Sequence, residues 1–547
     1  MSLPPALKAR LESLQLFDAR WYLEQYRDVR ESGMDAWHHF MGHGFDEGRQ
    51  PGPMFDPKAY VDANPDVRLS GLSALHHYLQ SGYLEGRPLT VAEKKVKEAT
   101  ASVWRESPLP PGLPPWFGGL PGKSDSGVVR LLYVLSIQSG GTPQTNQDLM
   151  AALSARTDTQ VECFVLRCFE AYIVLYLFQD GVYVPLERYQ LAEPVPAFPH
   201  RLAECDASMK QWLSDYRIDL IHVRHSAWQS LGLMDVACQL DIPVLYSFHD
   251  YYAACPSVKL LDENDKFCAG RCTVSAGECR QELWNADAVK PLKHASVYVW
   301  QQQFAGALGV CSGFLTTTKQ VREIMRDIFP VLQDKPFEVI PHGRDFDTLA
   351  DLAVVPSSDE PLRVALPGHI ARSKGGDILH QLAKDPRLKH VEWHVLGTLE
   401  AESGVISEKK MQEGHVAQWP ENIIVHGPYR RDEFNRHIAH IRPHLGAVLS
   451  IWPETWCHTL TELWAAGLPV IGFNLGAVGE RLKETGAGWV AEDCTAESVA
   501  SIFVTIHQQG EWLAVKEKVA KWQSSGQHSC MRMADDYWRF YQAFLTT

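Results

Sequence analysis

Val128-Val129-Arg130-Leu131-Leu132-Tyr133-Val134-Leu135, then Ser139-Gly140-Gly141-Thr142, then Asn146, Leu149 and Leu153 at helical spacing, is the stretch whose reading decides the fold. The first eight residues form a buried-strand run, the glycines a tight turn, and the rest a helix. Strand, glycine turn and helix in that order open a doubly wound α/β domain. Paired glycines also let a ligand approach the backbone closely. The full dinucleotide fingerprint is absent, so the turn alone names no ligand.

Working toward the C-terminus, further strands are predicted at 161–167, 173–178, 218–223 and 242–248. Asp219-Leu-Ile-His222 and Ile242-Pro-Val-Leu-Tyr-Ser-Phe248 suit parallel strands buried on both faces. The second delivers His249-Asp250 at its carboxyl end, where open α/β sheets place ligand groups. Cys255, Cys268, Cys272 and Cys279 follow. Their spacing lacks a paired Cys-x2-Cys and a histidine partner pattern, so a loop with free thiols is expected rather than a metal site. Segments 309–318 and 337–340 close this first unit. Pro341-His342-Gly343-Arg344 leads into a polar hinge over 345–361. A second α/β pattern starts at Arg363-Val-Ala-Leu-Pro-Gly368 and continues through the basic loop His369-Ile-Ala-Arg372-Ser-Lys374-Gly375-Gly376. Its strands recur at 391–396, 423–426, 446–450 and 469–473. Two such halves joined by a hinge imply a cleft, the usual place for a ligand.

Within the second half, 452–470 reads Trp-Pro-Glu-Thr-Trp-Cys-His-Thr-Leu-Thr-Glu-Leu-Trp-Ala-Ala-Gly-Leu-Pro-Val. The helix is expected to begin near His458, with Glu454 ahead of its N-terminus and Glu462 on its second turn. A helix N-terminus offers unpaired N–H groups and positive potential, which suit a phosphate. Two carboxylates beside it can hold hydroxyls of a sugar and a ribose. Taken alone, the same acids fit a solvated amphipathic helix equally well. With Arg372 and Lys374 to neutralise a diphosphate, the set suits a nucleotide-diphosphate-sugar.

Toward the N-terminus, residues 17–88 hold an internal repeat. Phe17-Asp18, Tyr22, Asp28-Val29, Gly33, Ala36, His38-His39, Gly44 and Glu47-Gly48-Arg49 recur 38 positions later, ending at Glu85-Gly86-Arg87. A period of this size marks a stacked supersecondary unit. Each copy reads as two short helices, 18–30 with 35–43 and 56–68 with 73–81. The paired histidines are expected to be structural, because adjacent helical residues diverge and no cysteine or acid completes a tetrahedral set. The module is expected to dock a partner or an acceptor. Residues 89–100 read as a charged helix. Residues 101–127 carry six prolines and five glycines, a composition for a linker.

The 547 residues exceed one core, so several folding units are expected. Apolar content of 45% and charged content of 22% are ordinary for a globular chain. Net charge is −14, from 52 basic and 66 acidic residues, which argues against non-specific nucleic-acid binding. No long apolar run and no signal-peptide core are visible, so a cytoplasmic protein is expected, with its 12 cysteines reduced.

The ordered motifs over about 128–545 resemble glycosyltransferase family 4, retaining enzymes of the GT-B fold. Pro453-Glu454-x7-Glu462 followed by Ala465-Ala466-Gly467-Leu468-Pro469-Val470 carries most of the resemblance. Gly368-x5-Lys374-Gly375, Gly397, Gly427, His249-Asp250-Tyr251 with Cys255-Pro256, and Asn474-Leu-Gly476-Ala-Val-Gly479-Glu480 match in the same order. The resemblance implies two Rossmann-like doubly wound α/β domains facing across a cleft, beside the small helical repeat module. The expected divisions are 1–100 (repeats), 101–127 (linker), 128–345 (acceptor-side domain), 346–525 (donor-side domain) and 526–547. In the last of these, a helix over 529–545 packs back on the first domain.

The resemblance also implies roles. Glu454 lies beside the donor sugar hydroxyls, with the backbone of Thr455, Trp456 and Cys457 against the same sugar. Thr459 and Leu460 amides reach the phosphate, Glu462 binds the ribose and Lys374 the diphosphate. The family usually has Arg where His369 stands, which leaves Arg372 or a protonated His369 as substitute. Tyr429 or Arg430 flanks the base, Gly140 and Gly141 border the phosphates, and His249 borders the reacting sugar. Catalytic roles fall to Glu454, His249 and Lys374. No cofactor and no metal are implied, since protein groups supply positive charge. The implied reaction moves a hexose-type sugar from a nucleotide-sugar to a glycan, lipid-linked or protein acceptor with retention. The implied setting is bacterial surface polysaccharide, lipopolysaccharide or glycoconjugate assembly, at the inner face of the membrane. The competing classes are a GT-B phosphorylase or nucleotide-sugar epimerase, and a non-catalytic binding protein.

Overall fold

The structure is a computed structural model. It describes residues 7, 8, 11, 14, 16–65, 67, 72–82, 87, 89–90 and 127–545, except 138–139, 170–171, 274, 290, 402–403, 407–419 and 507–508. The linker and most of the charged helix expected over 89–100 lie outside the described residues, as do Ser139, Asp66, Gly71 and Glu85-Gly86 of the sequence motifs.

Each repeat copy is built the same way where described. In the first, α1 (Ala19–Gln25), α2 (Arg27–Ser32) and α3 (Ala36–His39) run into a π-helical turn at Phe40–Gly44. The single helix expected over 18–30 is broken at Tyr26, whose backbone is extended. In the second copy, α4 (Pro57–Ala63) and α5 (Ala74–His77) run into the π turn Tyr78–Gly82. The repeated Asp18 and Asp56 are N-caps that accept backbone N–H bonds from the first turn. The second histidine of each pair bonds a repeated tyrosine: Tyr22 Oη to His39 Nδ1 at 3.2 Å, and Tyr60 Oη to His77 Nδ1 at 2.9 Å. The repeated glycines explain themselves there. A Cβ on Gly44 would stand 2.2 Å from Tyr22 Oη, and one on Gly82 2.0 Å from Tyr60 Oη. The repeat thus encodes one Asp cap, one Tyr–His bond and the glycine that makes room for it.

Among the described residues the first α/β domain has eight strands: β1 (Val128–Leu135), β2 (Gln160–Cys168), β3 (Tyr172–Gln179), β4 (Val182–Gln190), β5 (Leu220–His225), β6 (Val244–Ser247), β7 (Gly313–Thr316) and β8 (Phe337–Val339). Their order is β4-β3-β2-β1-β5-β6-β7-β8. Strands β2, β1, β5, β6, β7 and β8 pair in parallel, while β2–β3 and β3–β4 are antiparallel. The antiparallel edge departs from a simple doubly wound pattern. Its connections are a few residues long, too short for the crossover a parallel pair requires. The helices are α6 (Gly141–Ser154), α7 (Ala203–Asp215), α8 (Gly232–Gln239), α9 (Ala295–Val310) and α10 (Lys319–Ile328).

Among the described residues the second domain is a six-stranded parallel sheet ordered β13-β10-β9-β14-β15-β16. Its strands are β9 (Leu362–Pro367), β10 (Val391–Leu396), β13 (Ile423–Val425), β14 (Leu445–Val448), β15 (Val470–Phe473) and β16 (Gly488–Ala491). A small β11–β12 ribbon (Leu399–Ala401, Gly404–Ile406) lies between β10 and β13 in sequence. The helices are α11 (Gly376–Lys384), α12 (Phe434–Ile441), α13 (His458–Ala465), α14 (Gly476–Thr485), α15 (Ala496–Ile506) and α16 (Gln509–Ser524). The last helix, α17 (Cys530–Leu545), returns to the first domain. Its Tyr537, Trp538 and Tyr541 share a buried cluster with Leu131, Tyr133 and Met150. Tyr541 Oη lies 2.6 Å from His222 Nδ1, and Arg224 Nη1 donates to Tyr537 Oη at 2.8 Å.

Strand order reverses at β1, flanked by β2 and β5, and at β9, flanked by β10 and β14. The glycine loop after β1 and the basic loop after β9 therefore both stand at switch points, where open sheets leave a crevice. Among the described residues no helix is long and apolar enough to cross a membrane.

Candidate active site

Helix α13 begins at His458, as its sequence predicts. Its N-cap, Cys457, stands at φ +67° and makes no side-chain capping bond. The first-turn N–H groups thus lack the oxygen that an ordinary Ser, Thr or Asp cap would supply. From the first domain, Gly141 meets this helix start: a Cβ there would stand 2.4 Å from His458 Cδ2. The two glycine-bearing sheets are in this way closed against each other at α13.

Glu454 is 5% exposed. Its Oε1 accepts from Lys374 Nζ at 2.5 Å and from the Ser450 hydroxyl. Partial burial opposes the Lys374 charge, but the Glu454 carboxylate more than compensates and raises the ammonium pKa above its ordinary value. Lys374 also lies 5.7 Å from the Trp452 ring centroid. Both oxygens of Glu462 are used: Oε1 accepts from Arg344 Nη1 at 2.6 Å and Oε2 from Tyr429 Oη at 2.7 Å. Burial and the Glu462 charge push the Tyr429 phenol well above its usual range, so it remains a hydrogen donor.

The loop between the two acids is pinned from several sides. Tyr251 Oη donates to the Pro453 carbonyl at 3.0 Å. Thr455 Oγ1 donates to the His249 carbonyl at 2.5 Å, and Thr317 Oγ1 donates to the Thr455 carbonyl. Arg481 Nη1 donates to the carbonyls of Trp456 and Cys457 at 2.8 and 3.0 Å, with its guanidinium 3.8 Å from the Trp456 ring centroid. Burial lowers the Arg481 pKa to about 10, which leaves it charged at neutral pH. Glu480, one residue earlier, accepts the N–H groups of Lys319 and Gln320, each at 2.9 Å, at the start of α10. Thr459 lies beside the loop after β9, and Leu460 is fully buried.

His249, His342 and His458 form a stack. Their successive ring centroids are 5.0 and 5.7 Å apart, with interplanar angles of 22° and 10°. Among the described residues neither ring nitrogen of His249 has a hydrogen-bond partner. Burial, then the Arg224 charge, holds His249 well below the usual imidazole range. Burial first, and then any positive charge on the neighbouring His458 or Arg224, disfavours protonation of His342 in the same way. Burial with Arg431, Arg344 and Arg481 drives His458 to about 3. The stack is therefore neutral at physiological pH and adds polarisable surface without adding charge.

The remaining candidates lie elsewhere or play other parts. Gly140 takes φ +88° at the N-cap of α6. His369 turns to Thr398, with Glu400 at 3.9 Å, and its side chain is half exposed. Arg372 bridges to Asp265 of the first domain at 2.9 Å and to Asp377 at 3.3 Å. Arg430 is exposed and pairs with Asp432, whereas its neighbour Arg431 feels Arg344, Asp148, Glu462 and Tyr429. Sequence reasoning missed Arg344, Arg431, Arg481, His342 and Ser450. Of these only Arg344 and His342 lay in a motif noted from sequence, Pro341-His342-Gly343-Arg344. The four clustered cysteines are free thiols, and burial pushes Cys255 up to about 12. No group of three or more His, Cys, Asp or Glu side chains among the described residues is arranged to hold a metal.

Gly476 supports Glu454 directly. It takes φ +57°, and a Cβ there would stand 2.5 Å from the Pro453 carbonyl carbon and 2.6 Å from Glu454 N. Ala477 N also donates to the Glu454 carbonyl at 2.7 Å. Because the atoms met are backbone, nothing can rotate aside. Gly476→Ala is expected to displace Glu454, destabilising the domain by about 1–3 kcal/mol. Thermal melting reads the destabilisation, and an unchanged melting temperature would contradict the close approach.

Residues 139–348 match the description Glycosyltransferase Family 4. No curated protein matches the chain in sequence. Among solved structures, sucrose-phosphate synthase from Thermosynechococcus elongatus is 15% identical and aligns over 77% of this chain and 100% of its own, with a TM-score of 0.53. A glycosyltransferase from Rickettsia africae is 14% identical over 77% of this chain and 99% of its own, with a TM-score of 0.48. Anabaena HepE in complex with UDP-glucose is 13% identical over 76% and 99%, with a TM-score of 0.45. The chain is thus similar to family 4 glycosyltransferases and has the two-domain GT-B fold.

Proposed function

We propose, with a GT-B chain that resembles glycosyltransferase family 4 as premise, that this protein transfers a hexose-type sugar from a nucleotide-diphosphate-sugar with retention. The acceptor is a glycan, lipid-linked or protein group, in bacterial surface polysaccharide or glycoconjugate assembly. The observation that carries the reading is the pair of buried, cation-held carboxylates flanking the start of α13. Lys374 holds Glu454, while Arg344 and Tyr429 hold Glu462. Preorganised carboxylates of this kind accept hydroxyls, Glu454 from the sugar and Glu462 from the ribose.

As the nucleotide diphosphate departs, negative charge grows on its oxygens. Lys374 and the first-turn N–H groups of α13 stabilise that charge from fixed positions. The oxocarbenium-like sugar is attacked from the face the leaving group vacates, beside neutral His249. The departing diphosphate takes up the acceptor hydroxyl proton. Protein groups supply the positive charge, so transfer is expected to persist in EDTA.

Isothermal titration of the full chain with UDP, GDP, dTDP and inorganic phosphate, followed by product detection with nucleotide-sugars, tests the reading. A nucleoside diphosphate is expected to bind and its sugar to be transferred. Binding of inorganic phosphate alone would turn the assignment toward a phosphorylase, and binding of neither toward a non-catalytic protein.

A further inference from the structure

Arg481, on α14, is a buried guanidinium, 6% exposed, whose hydrogen-bond partners are all neutral. Its Nη1 donates to the Trp456 and Cys457 carbonyls at 2.8 and 3.0 Å, and its Nη2 donates to Thr461 Oγ1 at 2.8 Å. The guanidinium carbon lies 3.8 Å from the Trp456 ring centroid and 5.0 Å from that of Trp464. Among the described residues no carboxylate bonds it. Taking a charge out of water without a bonded counter-charge is costly. Stability alone therefore gives no reason for a cation here.

The two carbonyls that Arg481 holds decide where the neighbouring N–H groups point. In a trans peptide the C=O and the N–H point in opposite directions. The Trp456–Cys457 and Cys457–His458 peptides are both trans. With their carbonyls turned to Arg481, the N–H groups of Cys457 and His458 face away from it. Cys457 is left-handed at φ +67°, and His458 opens the right-handed helix α13. Successive N–H groups in that order of hands converge into a concavity that suits an anion. Neither N–H donates to a backbone acceptor among the described residues.

A non-glycine residue keeps a left-handed backbone only where its surroundings impose it. Arg481 imposes it from both sides, through the carbonyl before Cys457 and the carbonyl of Cys457 itself. The bond to Thr461 ties the same guanidinium to α13, so the two amides are fixed relative to the helix they precede. A hydrogen bond to each carbonyl also polarises the N–H of the same peptide. A planar fork serves these acceptors from one fixed place, which an ammonium on a flexible stem does not.

We infer that Arg481 is a positioning residue for the donor diphosphate: touching no ligand itself, it aims the Cys457 and His458 amides at the departing phosphate. The inference rests on the transferase reading above and deepens it. A diphosphate in front of the two amides would also supply the counter-charge that Arg481 lacks.

The test compares the full chain with Arg481→Met, Arg481→Lys and Thr461→Val. Calorimetry reads the nucleoside diphosphate that binds best, and saturation-transfer NMR, which detects weak binders, reads the matching nucleoside. In Arg481→Met the diphosphate affinity is expected to fall about tenfold or more, with nucleoside affinity unchanged. Arg481→Lys is expected to recover only part of the loss. Thr461→Val removes one bond of the guanidinium and is expected to show the same selective loss on a smaller scale. It keeps the test decisive if Arg481→Met does not fold, which circular dichroism reads. Equal losses for diphosphate and nucleoside would make Arg481 a general structural residue and overturn the inference. Diphosphate affinity unchanged in all three variants, or fully restored in Arg481→Lys, overturns it too, and each of these outcomes leaves the transferase reading standing. If the parent chain binds no nucleoside diphosphate, the transferase reading falls and this inference falls with it.

Discussion

Glu454→Gln is expected to lower kcat for sugar transfer by about 10²–10³, the scale of losing one preorganised polar contact to a transition state. The amide keeps the shape of the carboxylate but removes its charge. Two things then change together. On the proposed reading the sugar hydroxyls lose a charged acceptor, and Lys374 loses the partner that raises its pKa. Lys374→Met removes the same pair from the other side and, on the proposed reading, also strips a cation from the diphosphate. Because the two groups touch, their effects should not add. The double variant is expected to be no worse than about the poorer single variant. Steady-state kinetics with the donor identified by titration read this directly. Full additivity would mean that Glu454 and Lys374 act on separate events, and near-normal transfer in Glu454→Gln would remove it from the site.

Arg344→Leu is the second large effect, and it appears first in stability. Glu462 is a buried carboxylate, and Arg344 is its only charged bonding partner among the described residues. Removing one partner of a buried pair leaves an uncompensated charge, at a cost of about 3–5 kcal/mol. Arg344→Lys should recover only part of this, since an ammonium is strongly hydrated and lacks the planar fork. Replacing both partners, Arg344→Leu with Glu462→Leu, is expected to restore most of the melting temperature without restoring nucleotide affinity. That split separates the structural role of the pair from its proposed role at the ribose. If the single Arg344→Leu variant melts like the parent chain, the pair is not the buried ion pair described.

Much of the fold was legible because it depends on local patterns. The strand run at 128–135, the helix start at His458 and the 38-residue repeat all follow from periodicity, turn residues and caps within a few residues of one another. The antiparallel β2–β3–β4 edge was not legible. Strands read the same whichever way they pair, and only the length of the connections distinguishes the two. The break at Tyr26 was missed for a related reason: helical spacing continues through it.

The candidate site divides along the same line. Glu454, Glu462, Lys374 and the Gly140-Gly141 turn stood out because their chemistry is written into short motifs. The partners of those residues did not. Arg344 reaches Glu462 across 118 positions, Arg481 clamps the Trp456 and Cys457 carbonyls from the next helix, and His342 slots between His249 and His458 from three separate segments. Arg372 shows the converse: expected at a diphosphate from its loop, it is drawn to Asp265 of the other domain. A long cationic side chain takes whichever carboxylate the packing brings within reach.

The sequence by itself therefore determined the two α/β halves, the 38-residue repeat, and the acids at the start of α13. The tertiary structure alone decided which cation holds each acid and that the histidine stack is buried and neutral. The physical reason is range. Propensity, capping and turn chemistry act over a few residues of chain, whereas burial and electrostatic pairing are set by whatever the folded chain brings within a few ångströms.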